Sequence, residues 1–228
     1  MGLALKFHAA GSRVIIGGRR TALLAQIAAE HPGIDTVVID TADPVSITTA
    51  AADVLTRFPH VNVLVAMAGI MEPEDIHTDG FLSVPSGRSP PICSARSGCS
   101  PPSPSPRRPA GRGDHHRVLR IGVRPAAVHP TYNATKAAIH LLSRGIRVQL
   151  ADTSIQVIKL IPPAVRTALM GQQNSEQAMS LAAYLDETMA LLQHRPDADE
   201  IVVEGVKFLR DAETNGNYDH VLALLSGH

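Results

Sequence analysis

Tryptophan is absent, aromatic residues make up 3% of the 228-residue chain, and cysteine occurs only at positions 93 and 99. Two cysteines cannot form the multi-bridge framework of a small secreted domain, and they lack the spacing of a metal site. No apolar run approaches the roughly 18 residues of a membrane span. The start MGLALKF has neither the charged beginning nor the long apolar stretch of a signal peptide. These absences predict a cytoplasmic protein with no membrane partner. What is present, 44% hydrophobic and 18% charged residues, suits a single globular domain over residues 1–228.

Net charge is zero, yet it is unevenly distributed. Residues 84–127 hold eight arginines, no lysine and one acid, Asp114, together with nine of the seventeen prolines, seven serines and both cysteines. Neither the helical nor the strand period runs through this stretch, so an irregular or disordered segment is expected there. It contains no aromatic residue that could interleave with the basic ones, which argues against nucleic-acid binding. His115 and His116 beside Asp114 lack regular ligand spacing, so no metal site is expected.

Outside that stretch the chain alternates helix-like and strand-like segments. GLALKFHAAG, TALLAQIAAEHPG and the segment from Asp43 to Phe58 read as helices, and RVIIGG, DTVVID and VNVLVAMAG as strands, the last apolar enough to be buried on both faces. After His129 come a long amphipathic helix, PTYNATKAAIHLLSRGIRVQLADTS, a buried strand, IQVIKLI, and a stiff loop, PPAVRT. Three helices are expected to finish the chain, over about 176–193, over about 197–212, and at YDHVLALL. This order is that of a doubly wound, Rossmann-like α/β fold with a parallel sheet.

Tyr132 and Lys136 stand four apart at the start of the long helix, which places both on one face. An ammonium beside a phenol favours the phenolate and lowers the tyrosine pKa toward the range of a general acid or base. Arg19 directly follows the strand RVIIGG, where a cation suits a ribose 2'-phosphate and an acid would suit the free hydroxyl.

The motif YNATKAA, set after βα units and before a buried strand and PPAVRT, resembles the short-chain dehydrogenase/reductase family, and FPHVNVLVAMAGIM and VKFLRDAETNGNYD resemble its bacterial DltE-like branch. The resemblance implies a proton-transfer role for Tyr132, and for Lys136 a role in activating it and holding the nicotinamide ribose. It implies cofactor contacts at Gly2, Arg19, Asp40, Ala68 and Gly69, and at Pro162, Val165 and Thr167 in the loop after the buried strand. Met67 stands where an asparagine is usual, and Pro163 where a glycine is usual. NADP is the expected cofactor, with NAD as the alternative. The substrate would be a small carbonyl or alcohol, and the long helices would support a homo-oligomer.

Two parts of the family pattern have no counterpart in the chain. The glycine-rich turn and the strand before it would precede GLALKF, leaving Gly2 as the turn's last glycine, so an N-terminally truncated sheet is expected. Residues 84–127 also stand where a helix with a catalytic asparagine and a strand with a catalytic serine belong. Back-translation from the third base of each codon turns Val84–Arg96 into AERTLATNLLGP. From the second base, Pro104–Ala126 becomes PHLAAQPGGATIIVSSGLAFVPL. These strings put the asparagine at Pro91/Ile92 and the serine at Leu119/Arg120, as three single-base losses would produce. The expectation is therefore an impaired oxidoreductase. The alternative is a non-catalytic relic whose basic arm binds an acidic partner.

Overall fold

The computed structural model describes residues 1–67, 116–121, 130–167 and 169–226. They fall into two compact units, Met1–Val61 on one side of the division and residues 62–67 with 116–226 on the other. No described helix is long and apolar enough to cross a membrane.

In the first unit helix α1 (Gly2–Ala9) leads to strand β1 (Val14–Gly18), α2 (Thr21–Glu30), β2 (Ile34–Val38) and α3 (Pro44–Arg57). The two strands are parallel, with Val14 opposite Ile34 and Gly18 opposite Val38. A parallel pair needs a crossover, and α2 supplies it, burying Leu24 and Ile27, one turn apart on the helix. Gly33 takes a φ of +93° between α2 and β2, a conformation that side chains disfavour. Asp43 begins α3 as the sequence predicts, its carboxylate accepting from the Val45 N–H at 3.0 Å ahead of Pro44.

The second unit contains β3 (Val63–Ala66), β4 (His116–Ile121), α4 (Pro130–Gln149), β5 (Ile155–Ile161), α5 (Leu181–His194), β6 (Glu200–Val202), α6 (Lys207–Arg210) and α7 (Tyr218–Ser226). Its four strands pair in the order β3-β4-β5-β6, all parallel. Strand β5 is the centre of the core. Val157, Ile158, Leu160 and Ile161 are all buried, and Ile161 continues into a cluster with Val206, Leu209, Ala212 and Val221. Ile158→Ala should cost about 2–5 kcal/mol, since the side chain is wholly enclosed and the cavity left cannot fully collapse. Urea unfolding would read that loss, and a cost under about 1 kcal/mol would mean this strand is not the core.

The structure corrects four sequence expectations. Part of 84–127 is regular, because His116–Ile121 pairs on both sides as β4 between β3 and β5. Val118, Leu119 and Ile121, with a strand waiting on each side, outweigh the surrounding composition. Strand β3 is not buried on both faces: Leu64 is 57% exposed, and among the described residues β3 pairs with β4 alone. Helix α5 starts at Leu181, five residues later than expected, because Ser180 Oγ caps it by accepting from the Ala183 N–H. The expected helix over 197–212 divides into β6, a 3-10 turn and the short α6, since the β-branched run at Ile201–Val203 completes the sheet beside β5. Residues 84–115, with the asparagine position at Pro91/Ile92, lie outside the described residues.

Candidate active site

In a parallel sheet all strands end at the same edge, and the chain that follows those ends forms the usual binding crevice. In the second unit two of the segments that follow from that edge carry expected site residues. One is the chain after β4, which enters α4 at Pro130 and brings Tyr132 into its first turn, where Thr135 Oγ1 donates to the Tyr132 carbonyl at 2.7 Å. The other is Pro162–Thr167 after β5.

Tyr132 and Lys136 are half-buried, and the Lys136 Nζ lies 5.1 Å from the Tyr132 ring centroid. The pairing inferred from the four-residue spacing is therefore real, but its electrostatic effect differs from the expectation. Burial pushes the Tyr132 phenol above its ordinary value and holds the Lys136 ammonium below its own. The ammonium stands over the ring as a cation–π contact, and desolvation of the phenolate decides the direction. The phenol is therefore protonated at neutral pH.

The loop after β5 is closed at its base. The Val165 backbone bridges Met179, the Arg166 N–H donates to the Met179 carbonyl at 2.8 Å, and the Met179 N–H donates to the Ala164 carbonyl at 2.9 Å. The Arg166 side chain adds a bond from Nε to the Ala178 carbonyl at 2.9 Å. Pro162, Val165 and Thr167 are thus held in a fixed turn. Pro163, in place of the usual glycine, is accommodated by Gly205, where an added Cβ would stand 3.3 Å from the Pro163 Cβ. Sequence reasoning missed Arg166 as the clasp. Its only signal was an arginine in an otherwise apolar and proline-rich turn.

In the first unit Gly2 opens α1, Arg19 follows β1 and Asp40 follows β2. The Arg19 guanidinium stands 3.9 Å from the Asp40 carboxylate and is largely exposed. Asp40 is fixed by its own turn, with Oδ1 accepting from the Ala42 N–H and its N–H donating to Ser46 Oγ, each at 2.9 Å. Arg19, expected directly after a strand, and Asp40, implied by the family resemblance, lie side by side. Ala68 and Gly69 lie outside the described residues.

The family model for short chain dehydrogenase matches residues 120–178, which contain α4, β5 and the clasped loop. A DltE protein of Bacillus subtilis, described as an uncharacterized oxidoreductase, is 31% identical over 229 residues, covering 96% of this chain and 88% of the relative. The chain belongs to the short-chain dehydrogenase/reductase family. It is therefore, by family, an oxidoreductase. A bovine dehydrogenase/reductase, SDR family member 7B, is 40% identical over a shorter span of 74 residues, 28% of this chain and 23% of the relative. Among solved structures, a short-chain dehydrogenase from Streptomyces avermitilis superimposes with a TM-score of 0.69 at 24% identity, over 98% of this chain and 90% of that one. A gluconate 5-dehydrogenase from Burkholderia cenocepacia, solved with NADP and tartrate, gives 0.67 at 18% identity, over 90% and 89%. These two likenesses establish the Rossmann-like fold.

Proposed function

We propose that this short-chain dehydrogenase/reductase acts as an NADP(H)-dependent reductase of a small carbonyl compound, with low turnover in the chain as it stands. The observation that carries the reading is the half-buried Tyr132–Lys136 pair, in a unit whose parallel strands also send out the clasped Pro162–Thr167 turn. Taken unit by unit, the residues present suit parts of a nicotinamide dinucleotide. An exposed Arg19 beside Asp40 suits a phosphorylated adenosine ribose, and Lys136, Pro162, Val165 and Thr167 suit the nicotinamide side. Gly2 at the start of α1, and Ala68 and Gly69, complete the proposed contacts. Bound NADPH would supply the hydride.

Tyr132 Oη–H would give its proton to the carbonyl oxygen as the carbon accepts the hydride, and the neighbouring Lys136 charge would stabilise the phenolate left behind. In the reverse direction the phenolate takes the alcohol proton back. No serine lies between Ser105 and Ser143, so no serine hydroxyl from this region polarises the carbonyl oxygen, and turnover is low for that reason. Self-association through the outer face of α4, where Leu141 and Val148 are 67% and 78% exposed, and the reading of 1–228 as one domain belong to the same proposal.

The experiment is titration of purified protein with NADPH, followed by absorbance-monitored oxidation with a panel of aldehydes and ketones. Saturable binding and slow, carbonyl-dependent oxidation are expected, and no saturable binding would refute the proposal. Arg19→Glu should weaken NADPH binding about tenfold or more while leaving NADH binding less affected, because the 2'-phosphate would face an acid. Equal losses for the two cofactors would remove Arg19 from that role.

A further inference from the structure

Helix α4 carries more than the proposed catalytic pair on its inner face. Tyr132, Lys136, His140, Ser143 and Arg147 recur at helical spacing. Contacts fix the direction of that face, since Arg147 Nε donates to the Val157 carbonyl of β5 at 2.7 Å and Ser143 is fully buried. His140 is one turn beyond Lys136, and its Nδ1 contacts the Nζ of Lys159, a buried lysine in the middle of β5. Lys159 Nζ also meets Glu200 Oε1 at 2.9 Å, and Arg210 donates to Glu200 Oε2 through Nη2 at 2.9 Å and Nε at 3.2 Å.

This arrangement specifies the state of the imidazole. An ammonium has only donors, so Nδ1 must be the acceptor and the ring proton must sit on Nε2. Among the described residues, the charges that act on His140 are Lys159 on β5, Glu200 on β6, Arg210 on α6 and Arg144 on α4 itself. Burial and then Lys159 hold the imidazole below its ordinary value, with Arg210 and Arg144 acting in the same direction and Glu200 opposing them. Burial raises Glu200, but the hydrogen bonds and charges of Lys159 and Arg210 leave it below the usual carboxylate range. A second proton acceptor is already in reach, because Glu200 Oε1 lies 3.4 Å from His140 Nδ1.

We propose that His140 is a positioning residue for the Tyr132–Lys136 pair: neutral, it accepts from Lys159 and pins α4 to β5; protonated, it turns to Glu200 and releases that pin. The role rests on the reductase reading, although the imidazole state can be read independently of turnover. Because the folded imidazole favours the neutral form, its stabilising effect is complete above the unfolded value near about 6.5 and is lost as pH falls through the lower folded value.

The test combines nitrogen NMR of the imidazoles, assigned through His140→Asn, with pH profiles of kcat for wild type, His140→Asn and His140→Leu. Asparagine retains an acceptor near Nδ1 without titrating, and circular dichroism checks that both variants fold. The expected result is a neutral Nε2–H tautomer at neutral pH and a wild-type kcat that declines on the acid side with that imidazole. His140→Asn should lose that decline, and His140→Leu should lower kcat about tenfold at neutral pH, with KM for NADPH little changed. An Nδ1–H or charged ring at neutral pH would overturn the proposal, as would an acid decline unchanged in His140→Asn. A correct tautomer in a protein without cofactor-dependent turnover would overturn the reductase reading and the positioning role, while the pH-linked exchange of partners would stand.

Discussion

Tyr132→Phe is expected to lower carbonyl reduction by about 10²–10⁴-fold, the range for loss of a positioned proton donor. The phenyl ring keeps the stacking partner of Lys136, so folding and NADPH affinity should change little. The loss should therefore fall on kcat, with KM for the cofactor nearly constant, as expected when an interaction made in the transition state is removed. Steady-state kinetics beside an equilibrium NADPH titration separates these terms. Since burial raises the phenol, the residue stays protonated through the neutral range, and reduction should be flat toward alkaline pH. Alcohol oxidation needs the phenolate and should climb with pH over the same interval. A Phe variant with wild-type kcat would remove Tyr132 from the chemistry.

A gain of activity is the second large effect expected. Residues Leu119 and Arg120 lie near the end of β4, opposite Ile158 and Lys159 of β5, at the strand edge from which α4 and the clasped turn also follow. A serine there would donate to the carbonyl oxygen as negative charge develops, an interaction worth about 10²–10³ in kcat when removed from established sites. Successive strand residues point to opposite faces, so only one of Leu119→Ser and Arg120→Ser should raise kcat. The gain should disappear when Tyr132→Phe is added, because the hydroxyl assists proton transfer and does not replace it. Stopped-flow comparison of the two single variants, the double variants and the parent chain decides this. If neither serine raises kcat by more than about threefold, the low turnover has another cause.

Much of the architecture was legible because each clear signal had a local cause. Asp43 and Pro44 mark a helix start through capping and a fixed φ, and IQVIKLI marks a buried strand through five aliphatic residues broken only by Gln156 and Lys159. Helical spacing put Tyr132 and Lys136 on one face and the family resemblance gave them their expected roles, while Arg19 was marked by its place directly after a strand and Asp40 by the resemblance. What was not legible depends on partners distant in sequence. HRVLRI forms a strand because β3 and β5 lie on its two sides, and Ile201–Val203 is extended because β5 offers an edge. Spacing gave the proximity of Tyr132 and Lys136 but not the balance of charge against burial, which reverses the direction of the tyrosine shift. Arg166 and the His140–Lys159–Glu200 cluster were invisible for the same reason, since each joins elements whose separation in sequence carries no periodic signal.

The most direct measurement is transfer of deuterium from nicotinamide-deuterated NADPH to the carbinol carbon of the product, followed by mass spectrometry with wild type and Tyr132→Phe. Label detection accumulates over time, so slow turnover does not obscure it. The account predicts label in the alcohol made by the wild-type chain and at least about 10²-fold less with Tyr132→Phe. Absence of label from wild type, or equal labelling by both proteins, would contradict it.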